Sequence, residues 1–465
     1  EHSRLNALVQ PRYEEALGEA ARMEKPGPLA GVPVSVKDCF AVAGLRTTLG
    51  MIGRKGCIDA SDSPIVSRLR QAGAIVLGKA NVPQAMYLHE TDNPLWGRTS
   101  HPSFPGRGPG GSSGGDAALV ASGCVALGIG NDLAGSIRQP AHACGIVGFL
   151  PRATILGGGG AFETMPGLIG ERSRCGLLAR AVSDIVASWH AIAPAEGPFR
   201  DARQAMERRR PLRVGWWDEG GPLAASDAVC RGVALAAERL RARGVVVDRL
   251  DPDIAQEAAW IHLALLSADG GADVRRLFAG ERPIEPVGRL LGLAGVPGWR
   301  RRLLAGACAW GGRRLEASAL RRTGPRHGSR LAAILGRRAE IERVVEGWSA
   351  CHDAILCPVS ALPALRDGTA WRLVLAAAPC LLANLVDLAA GTVPLTTVLP
   401  TEESGREWSV DPIERLAREA DAGSAGLPVG VQVVSLVRSA GVAEETVLDV
   451  MRMLEGEAVS RGASP

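Results

Sequence analysis

Residues 110–151 constrain the fold of this chain most, because they hold two glycine-rich serine turns on either side of one apolar segment. The first turn is GGSSGG at 110–115, and the second is NDLAGSIR at 131–138. Between them, residues 117–121 predict a short buried helix and residues 125–129 a buried strand. Glycine lets the backbone adopt positive φ, and unpaired N–H groups in such turns can face a developing negative charge. Two serines beside such donors indicate acyl transfer.

Lysine is rare in this chain, and one lysine has unusual surroundings. Of 53 basic residues only four are lysine, at positions 25, 37, 55 and 79. Lys37 follows the mainly apolar run 32–36, where a permanent charge would be costly. A desolvated lysine can lose its proton, whereas arginine effectively cannot. Together with the serine turns, this favours a catalytic Lys37 over a lysine that merely pairs with Asp38.

Four segments together resemble the amidase signature family. They are the lysine strand GVPVSVKD at 31–38, the two serine turns, and CGIVGFLP at 144–151. The spacings from the lysine to the serines match those of the family, and a weaker likeness reaches residues 426–432. The resemblance implies an α/β fold in which a single large domain, residues 1–465, holds a twisted mixed β-sheet covered by helices on both faces. The catalytic block would be residues 31–151.

The resemblance also implies a catalytic triad of two serines and a lysine. A serine hydroxyl is a weak nucleophile and needs a base within hydrogen-bond reach. No histidine is an obvious base, since His142 follows Ser136 by six residues but nothing else places it there. By resemblance, Ser136 is the nucleophile, Ser112 the bridging serine and Lys37 the base, neutral in the resting enzyme. The family also implies a cis peptide bond between Gly111 and Ser112.

Further site residues follow from the same resemblance. The oxyanion hole would consist of the backbone N–H groups of Leu133, Ala134, Gly135 and Ser136. Asp132 and Arg138 would shape this turn, and Ser113 would support Lys37. Met86 and Tyr87 are candidate walls of the substrate pocket, by position in the chain only.

The chain departs from the family pattern beside the predicted site. Asn131 stands where the family usually has Thr or Ser, and Ala134 where it has Gly. Leu150 and Arg152 replace the usual Lys and Thr around Pro151. We expect the methyl group of Ala134 to narrow the acyl pocket or to alter the turn. Because the three catalytic positions keep their residue types, the predicted chemistry stands.

The predicted function is a serine amidase that hydrolyses a small-molecule carboxylic amide through an acyl-enzyme. Two alternatives use the same acyl-enzyme: transfer of the acyl group to an amine, and a glutaminase subunit of a tRNA amidotransferase. The resemblance at Met86, Tyr87 and residues 93–95 favours a stand-alone amidase. Residues 110–114 also fit the G-x-S-x-G elbow of α/β-hydrolases, but 100–109 are too rich in proline and glycine for the strand it needs. No G-K-[ST] sequence ends the turn, which excludes a P-loop.

Composition narrows the partners and the compartment. A net charge of +4 gives no argument for nucleic acid. The ten cysteines lack CxxC or Cys/His ligand spacing, so we predict no metal, no cofactor and reduced thiols in a cytoplasmic protein. No secretory signal opens the sequence. The apolar run 373–385 contains Pro379 and Asn384, which favours a buried core segment over a membrane span.

The rest of the chain alternates predicted helices and strands, which is typical of a sheet covered by helices. Residues 81–97 are predicted to be mostly loop, and 195–210 a surface connection. Predicted helices are 5–23, 62–72 and 227–243, and predicted strands are 74–78, 212–217, 245–250, 354–358 and 429–434.

A peripheral basic stretch lies at about 285–330. Residues 289–330 hold ten arginines against one acid, Glu316, with leucine and tryptophan interleaved. This pattern predicts two short basic amphipathic helices, separated at residues 297–298. One branch of the family carries a membrane-docking cap here, so a peripheral membrane contact is one hypothesis. A solvated helix face or a homodimer contact is the simpler interpretation.

Overall fold

The computed structural model describes residues 2–23, 27–193 and 211–455. Eleven strands of these residues form one mixed sheet, in the order β1-β3-β2-β4-β6-β5-β10-β11-β9-β7-β8. Neighbours are parallel at β2–β3, β2–β4, β7–β8 and β7–β9 and antiparallel elsewhere. The strands are β1 (Leu8–Pro11), β2 (Pro33–Lys37), β3 (Ile75–Ala80), β4 (Leu127–Asp132), β5 (Val147–Leu150), β6 (Arg174–Ala179), β7 (Arg213–Trp216), β8 (Val246–Arg249), β9 (Ala354–Pro358), β10 (Ala390–Thr397) and β11 (Pro428–Ser435).

Helices cover both faces of this sheet, as predicted. In β6, Leu177 and Ala179 pack in one cluster with residues of α3 and α7, whereas Leu178 packs in another with residues of α4. Alternate residues of a strand point to opposite faces, so the two clusters lie on opposite sides. The helices are α1 (His2–Leu5), α2 (Tyr13–Ala21), α3 (Pro64–Gln71), α4 (Gly114–Ala121), α5 (Arg138–Cys144), α6 (Ala153–Leu156), α7 (Val182–Ile192), α8 (Asp227–Ala242), α9 (Asp253–Leu266), α10 (Ala272–Leu277), α11 (Glu285–Ala294), α12 (Gly298–Trp310), α13 (Arg314–Arg322), α14 (Gly328–Ser349), α15 (Leu381–Leu385), α16 (Pro412–Asp421) and α17 (Val442–Leu454).

The parallel pairing of β2 and β4 brings Lys37 close to the second serine turn. Val34 pairs with Leu127 and Val36 with Ile129, so both strands end at the same edge of the sheet. Lys37 is the last residue of β2, and the second serine turn begins at the end of β4. The first turn leads directly into α4 and the second into α5.

Most predicted elements are present with shifted ends. The strand predicted at 354–358 is β9 with the same bounds, and the helix predicted at 62–72 is α3, with Pro64 in its first turn. The strand predicted at 125–129 begins two residues later, as β4. The apolar run 373–385 is buried core, formed by the 3-10 helix Val374–Cys380 and by α15. The predicted connection 195–210 lies outside the described residues.

The helix predicted at 5–23 was wrong in its first half. In the structure α1 ends at Leu5, strand β1 occupies Leu8–Pro11, and the next helix, α2, begins at Tyr13. Pro11 has no N–H to donate within a helix, and Leu8 pairs with Ala80 at the edge of the sheet. Tertiary pairing therefore outweighed local helix propensity.

The basic stretch was also predicted wrongly in detail. Residues 289–330 contain most of α11, all of α12 and α13, and the start of α14, not two short helices. Gly311 and Gly312 follow α12, and Gly312 has φ of 74°, which ends the helix where no glycine break was predicted. Trp299, Leu303 and Trp310 of α12 are exposed, with Trp310 at 94%. Among the described helices, none is long and apolar enough to cross a bilayer.

Candidate active site

Lys37 lies buried at the end of β2 and contacts both serines of the first turn. Its Nζ is within hydrogen-bond distance of Ser112 Oγ at 2.7 Å, of Ser113 Oγ at 2.9 Å and of the carbonyl oxygen of Asn131 at 3.3 Å. The side chain is inaccessible to solvent. Burial lowers the pKa of Lys37 to about 8, although nearby acidic groups, including Asp116, act in the opposite direction. The lysine is therefore a far better base at neutral pH than an exposed one.

The first serine turn is held close to the second. The bond between Gly111 and Ser112 is cis, as the family resemblance implies. Gly111 N–H donates to Gln139 Oε1 at 3.1 Å, and Ser113 N–H donates to the carbonyl of Ser136 at 3.2 Å. A Cβ atom at Gly111 would lie 2.8 Å from the carbonyl oxygen of residue 88, so only glycine fits there. These contacts bring the two turns together around Lys37.

The second turn is built around the carboxylate of Asp132. Asp132 accepts hydrogen bonds from Gly135 N–H at 2.7 Å and Ile137 N–H at 3.1 Å, and Arg138 binds it at 3.0 Å. Both ionic side chains are fully buried. Burial alone would raise the pKa of Asp132, but the guanidinium of Arg138 and the hydrogen bonds bring it well below its ordinary value. The pair acts as a fixed frame for the turn that carries Ser136.

Residues that the sequence reasoning missed complete this frame. Arg138 donates to Gln432 Oε1 at 2.5 Å and to the carbonyl of Cys380 at 2.8 Å, and Asn384 Nδ2 donates to Asp132 Oδ1 at 3.0 Å. Gln432 and Asn384 are polar residues inside otherwise apolar predicted segments. A polar residue inside an apolar segment was the signal that could have identified them, because a buried polar side chain needs a hydrogen-bond partner.

A cavity opens beside the serines. Its empty space is about 540 Å³, open mouth included. Ser112, Ser136, Leu133 and Met86 line it, whereas Tyr87 does not and instead packs against the main hydrophobic core. The other wall comes from a loop that the sequence reasoning did not single out. That wall comprises Phe162, Glu163, Thr164, Met165, Pro166, Leu168, Glu171, Arg172 and Ser173, and Asn131 lies between the two sides.

The two departures in the second turn have clear positions. Asn131 Nδ2 donates to Ser173 Oγ at 2.7 Å, which ties the turn to the opposite cavity wall. Ala134 packs against the cluster of Ala259, Ala378 and Leu381 and is not among the cavity-lining residues. Its methyl group therefore adds a packing contact, and does not narrow the cavity as expected.

Two histidines lie near the turns and are held by the backbone. His142 accepts a hydrogen bond from Gly430 N–H at Nδ1, 3.0 Å away, and its Nε2 lies 3.1 Å from the carbonyl of Leu362. With both ring nitrogens occupied, His142 is a structural residue. His89, which the sequence reasoning missed, lies with Nε2 3.0 Å from the carbonyl of Ala134, and burial lowers its pKa.

The comparisons with known proteins agree with this geometry. The family model named Amidase matches residues 1–440, and the chain belongs to that family. Fatty-acid amide hydrolase 1 of Sus scrofa is 32% identical over 94% of this chain and 77% of its own length. The chain is an enzyme, a hydrolase that acts on amide bonds.

Solved structures show the same fold across almost the whole chain. A fatty acid amide hydrolase superposes with a TM-score of 0.79 at 19% identity, covering 97% of this chain and 79% of that one. A glutamyl-tRNA(Gln) amidotransferase chain from Thermotoga maritima has a TM-score of 0.67 at 22% identity, covering 98% and 88%. These structural likenesses establish the amidase signature fold.

Replacement of Asp132 by Asn should destabilise the protein strongly. The change leaves Arg138 buried without its counter-charge, which costs on the order of 3–5 kcal/mol of unfolding free energy. Urea unfolding measures this loss. Glu285→Gln, which breaks an exposed ion pair with Arg289, is the control and should cost at most about 1 kcal/mol. Equal losses in both variants would contradict the role given to the buried pair.

Proposed function

We propose that this enzyme is a serine amidase in which Ser136, Ser112 and Lys37 act as nucleophile, bridging residue and base. The observation that carries the proposal is the 2.7 Å contact between Lys37 Nζ and Ser112 Oγ at a buried position next to the cavity that Ser136 lines. A base inside hydrogen-bond reach of a hydroxyl is the arrangement that nucleophilic serine chemistry needs.

The three contacts of Lys37 suit a neutral amine. A neutral amine has two N–H donors and one lone pair. The carbonyl of Asn131 and Ser113 Oγ can accept the two donors, which leaves the lone pair for the hydroxyl proton of Ser112. Ser113 is then a positioning residue for Lys37, as the resemblance implies.

The reaction divides into acylation and deacylation. Ser136 Oγ attacks the amide carbonyl as its proton passes to Ser112, whose own proton passes to Lys37. Breakage of the C–N bond returns a proton through Ser112 to the leaving amine and leaves an ester on Ser136. Water, activated along the same route, then releases the carboxylic acid and restores Ser136.

The negative charge of the tetrahedral intermediate needs donors from the second turn. Gly135 N–H already donates to Asp132, which leaves the N–H groups of Leu133, Ala134 and Ser136 from the predicted set. We propose these as the oxyanion hole. Asp132 keeps the turn in the conformation that directs them, so no reorganisation is required during the reaction.

We propose hydrolysis in preference to the two alternatives. The relative that aligns with 94% of this chain is named a hydrolase, whereas the amidotransferase chain is similar in fold at 22% identity. Transfer to an added amine remains measurable from the same acyl-enzyme, as an amide product in place of the acid.

We also propose that the exposed face of α11–α13, the basic surface, contacts an anionic membrane. Trp299, Leu303 and Trp310 are exposed among arginines that outnumber acids ten to one in residues 289–330. The basic surface starts near the cavity. Ile284, just before α11, donates its N–H to Gln84 Oε1, and Gln84 is two residues from Met86, which lines the cavity. Substrate held in a bilayer would then enter close to the serines. A homodimer through this face is the competing outcome.

A fluorophosphonate probe should label Ser136, because that hydroxyl is the proposed nucleophile. Peptide mass mapping locates the label, and Ser136→Ala should abolish it together with amide hydrolysis. Ser349→Ala at the end of α14 is the control and should keep both. Labelling of Ser112 or Ser113 with Ser136 untouched would reverse the assignment.

The pH dependence of acylation should follow Lys37. Since the neutral amine is the active form and the pKa of Lys37 lies at about 8, kcat/KM should rise as pH increases through that value. Lys37→Ala should remove this rise and lower the rate by roughly 10²–10⁴-fold or more. Lys55→Ala, at an exposed lysine, is the control. Near-normal activity of Lys37→Arg would show that a permanently charged residue supports catalysis, and would contradict the role of Lys37 as a base.

The basic surface should bind anionic vesicles in a salt-dependent way. Each basic residue near such a membrane contributes roughly 1 kcal/mol, a contribution that salt weakens, and buried leucine and tryptophan add a salt-independent part. Co-sedimentation with anionic and neutral vesicles at two salt concentrations measures both. Trp310→Ser should weaken binding, whereas Leu17→Ser, at an exposed leucine of α2, should not. Sedimentation of a dimer without any vesicle binding would favour a homodimer contact.

A further inference from the structure

The cavity wall opposite the serines contains a buried acid–histidine pair that the proposed reaction does not use. Glu171 Oε2 lies 2.5 Å from Nδ1 of His262 on α9, and the two side chains are 1% and 0% exposed. The contact lacks the angles of a hydrogen bond. Within the described residues, neither carboxyl oxygen of Glu171 meets the hydrogen-bond criteria, and Oε1 also lacks the ionic contact that Oε2 has with His262. Glu171 Oε1 thus has unused acceptor capacity in a residue that lines the substrate cavity.

The loop that carries Glu171 is anchored at several points. Phe162 N–H donates to the carbonyl of Cys39 at 2.7 Å, and Gly167 N–H donates to Asp273 Oδ2 at 2.7 Å. Ser173 accepts the hydrogen bond from Asn131 at 2.7 Å. Because both ends of the loop and its middle are bound to other elements, the position of Glu171 is determined before substrate arrives.

The charged residues at the cavity mouth have different surroundings. Arg172 and Glu163 are 3.8 Å apart, with side chains 77% and 43% exposed, so solvent reaches both. Neither side chain forms a hydrogen bond with the buried carboxyl group of Glu171. A buried polar group without a hydrogen bond is costly, and a carboxyl group more so than a neutral one. An apolar chain packed against this wall would keep that cost, whereas a ligand N–H group would remove it.

We propose that Glu171, positioned by His262, is a specificity residue that accepts a hydrogen bond from a nitrogen-bearing group of the substrate, such as a primary ammonium. The inference rests on the proposed function, because it assigns a substrate class to the same cavity. The preferred substrates are then amides whose substituent in the cavity ends in an amine. Plain alkyl amides of the same length are poorer substrates.

Matched substrates test this preference directly. In one series, 4-nitroanilides of ω-amino acids of increasing length are compared with alkanoyl anilides in which a methyl group replaces the amine. In the second series, the amine or methyl terminates the leaving group of a benzamide. At the best length in one series, the wild-type enzyme should favour the amine in kcat/KM by at least about tenfold, since hydrogen bonds that involve a charged group are stronger than neutral ones.

Glu171→Gln should remove the preference while leaving hydrolysis of the methyl substrates intact or improved. The loss should appear mainly in KM, as expected for a contact made equally in the ground and transition states. Glu257→Gln, at a half-buried position on the same helix as His262, should keep the wild-type ratio. Thermal unfolding and probe labelling of Ser136 show whether each variant is folded, and His262→Gln provides a second variant should Glu171→Gln not fold.

Two results would overturn the inference. One is a wild-type enzyme that shows no preference for the amine in either series, a measurement that needs no variant. The other is a folded Glu171→Gln that retains the full preference, which would make the pair structural. Both leave the proposed chemistry standing as long as methyl substrates are hydrolysed and Ser136 is labelled. A wild-type enzyme that neither hydrolyses the methyl substrates nor is labelled at Ser136 would instead reject the proposed function.

Discussion

Lys37 is buried with no carboxylate bound to it directly among the described residues, and this is the constraint on which the site depends. A desolvated ammonium is unfavourable, so burial shifts the lysine toward its neutral form and makes it a base. Its hydrogen bonds go to hydroxyls and a carbonyl, groups that solvate an amine without fixing its charge. The parallel pairing of β2 with β4 brings Lys37 to the end of β4, and the first serine turn, bonded to the second, supplies Ser112 and Ser113 there.

The neighbouring Asp132–Arg138 pair is built on the opposite principle. Its two charges are fully buried but compensated by each other and by several hydrogen bonds, so both groups stay ionised. Such a pair is a poor source of stability compared with an apolar core, but it fixes geometry because each hydrogen bond has one direction. The site therefore combines an uncompensated lysine that can exchange protons with a compensated pair that cannot.

Reactivity and selectivity come from different parts of the chain. The groups that we propose as reactive lie within residues 37–138, at the ends of β2 and β4 and on the two serine turns. The opposite wall of the cavity is formed by the loop 162–173, with His262 behind it. This wall contains polar residues, whereas a substrate with a purely apolar chain would fit best against an apolar wall. A family fold can keep one chemistry while such a loop changes the substrate. We propose the basic surface as a separate element, beside the route by which substrate enters.

The family and the helix-covered sheet could be predicted from the sequence alone. Lys37, Ser112 and Ser136 could be named as candidates, because glycine turns and a lysine in an apolar run are local signals. Treatment of the whole chain as one domain stays a prediction. Three features became visible in the folded structure and not before: the edge strand at residues 8–11, the support of the Asp132–Arg138 pair by Gln432 and Asn384, and the contact of Glu171 with His262. These contacts join residues far apart in the chain. Local propensity and spacing carry no information about which distant side chains will share a buried site, since packing of the whole fold selects them.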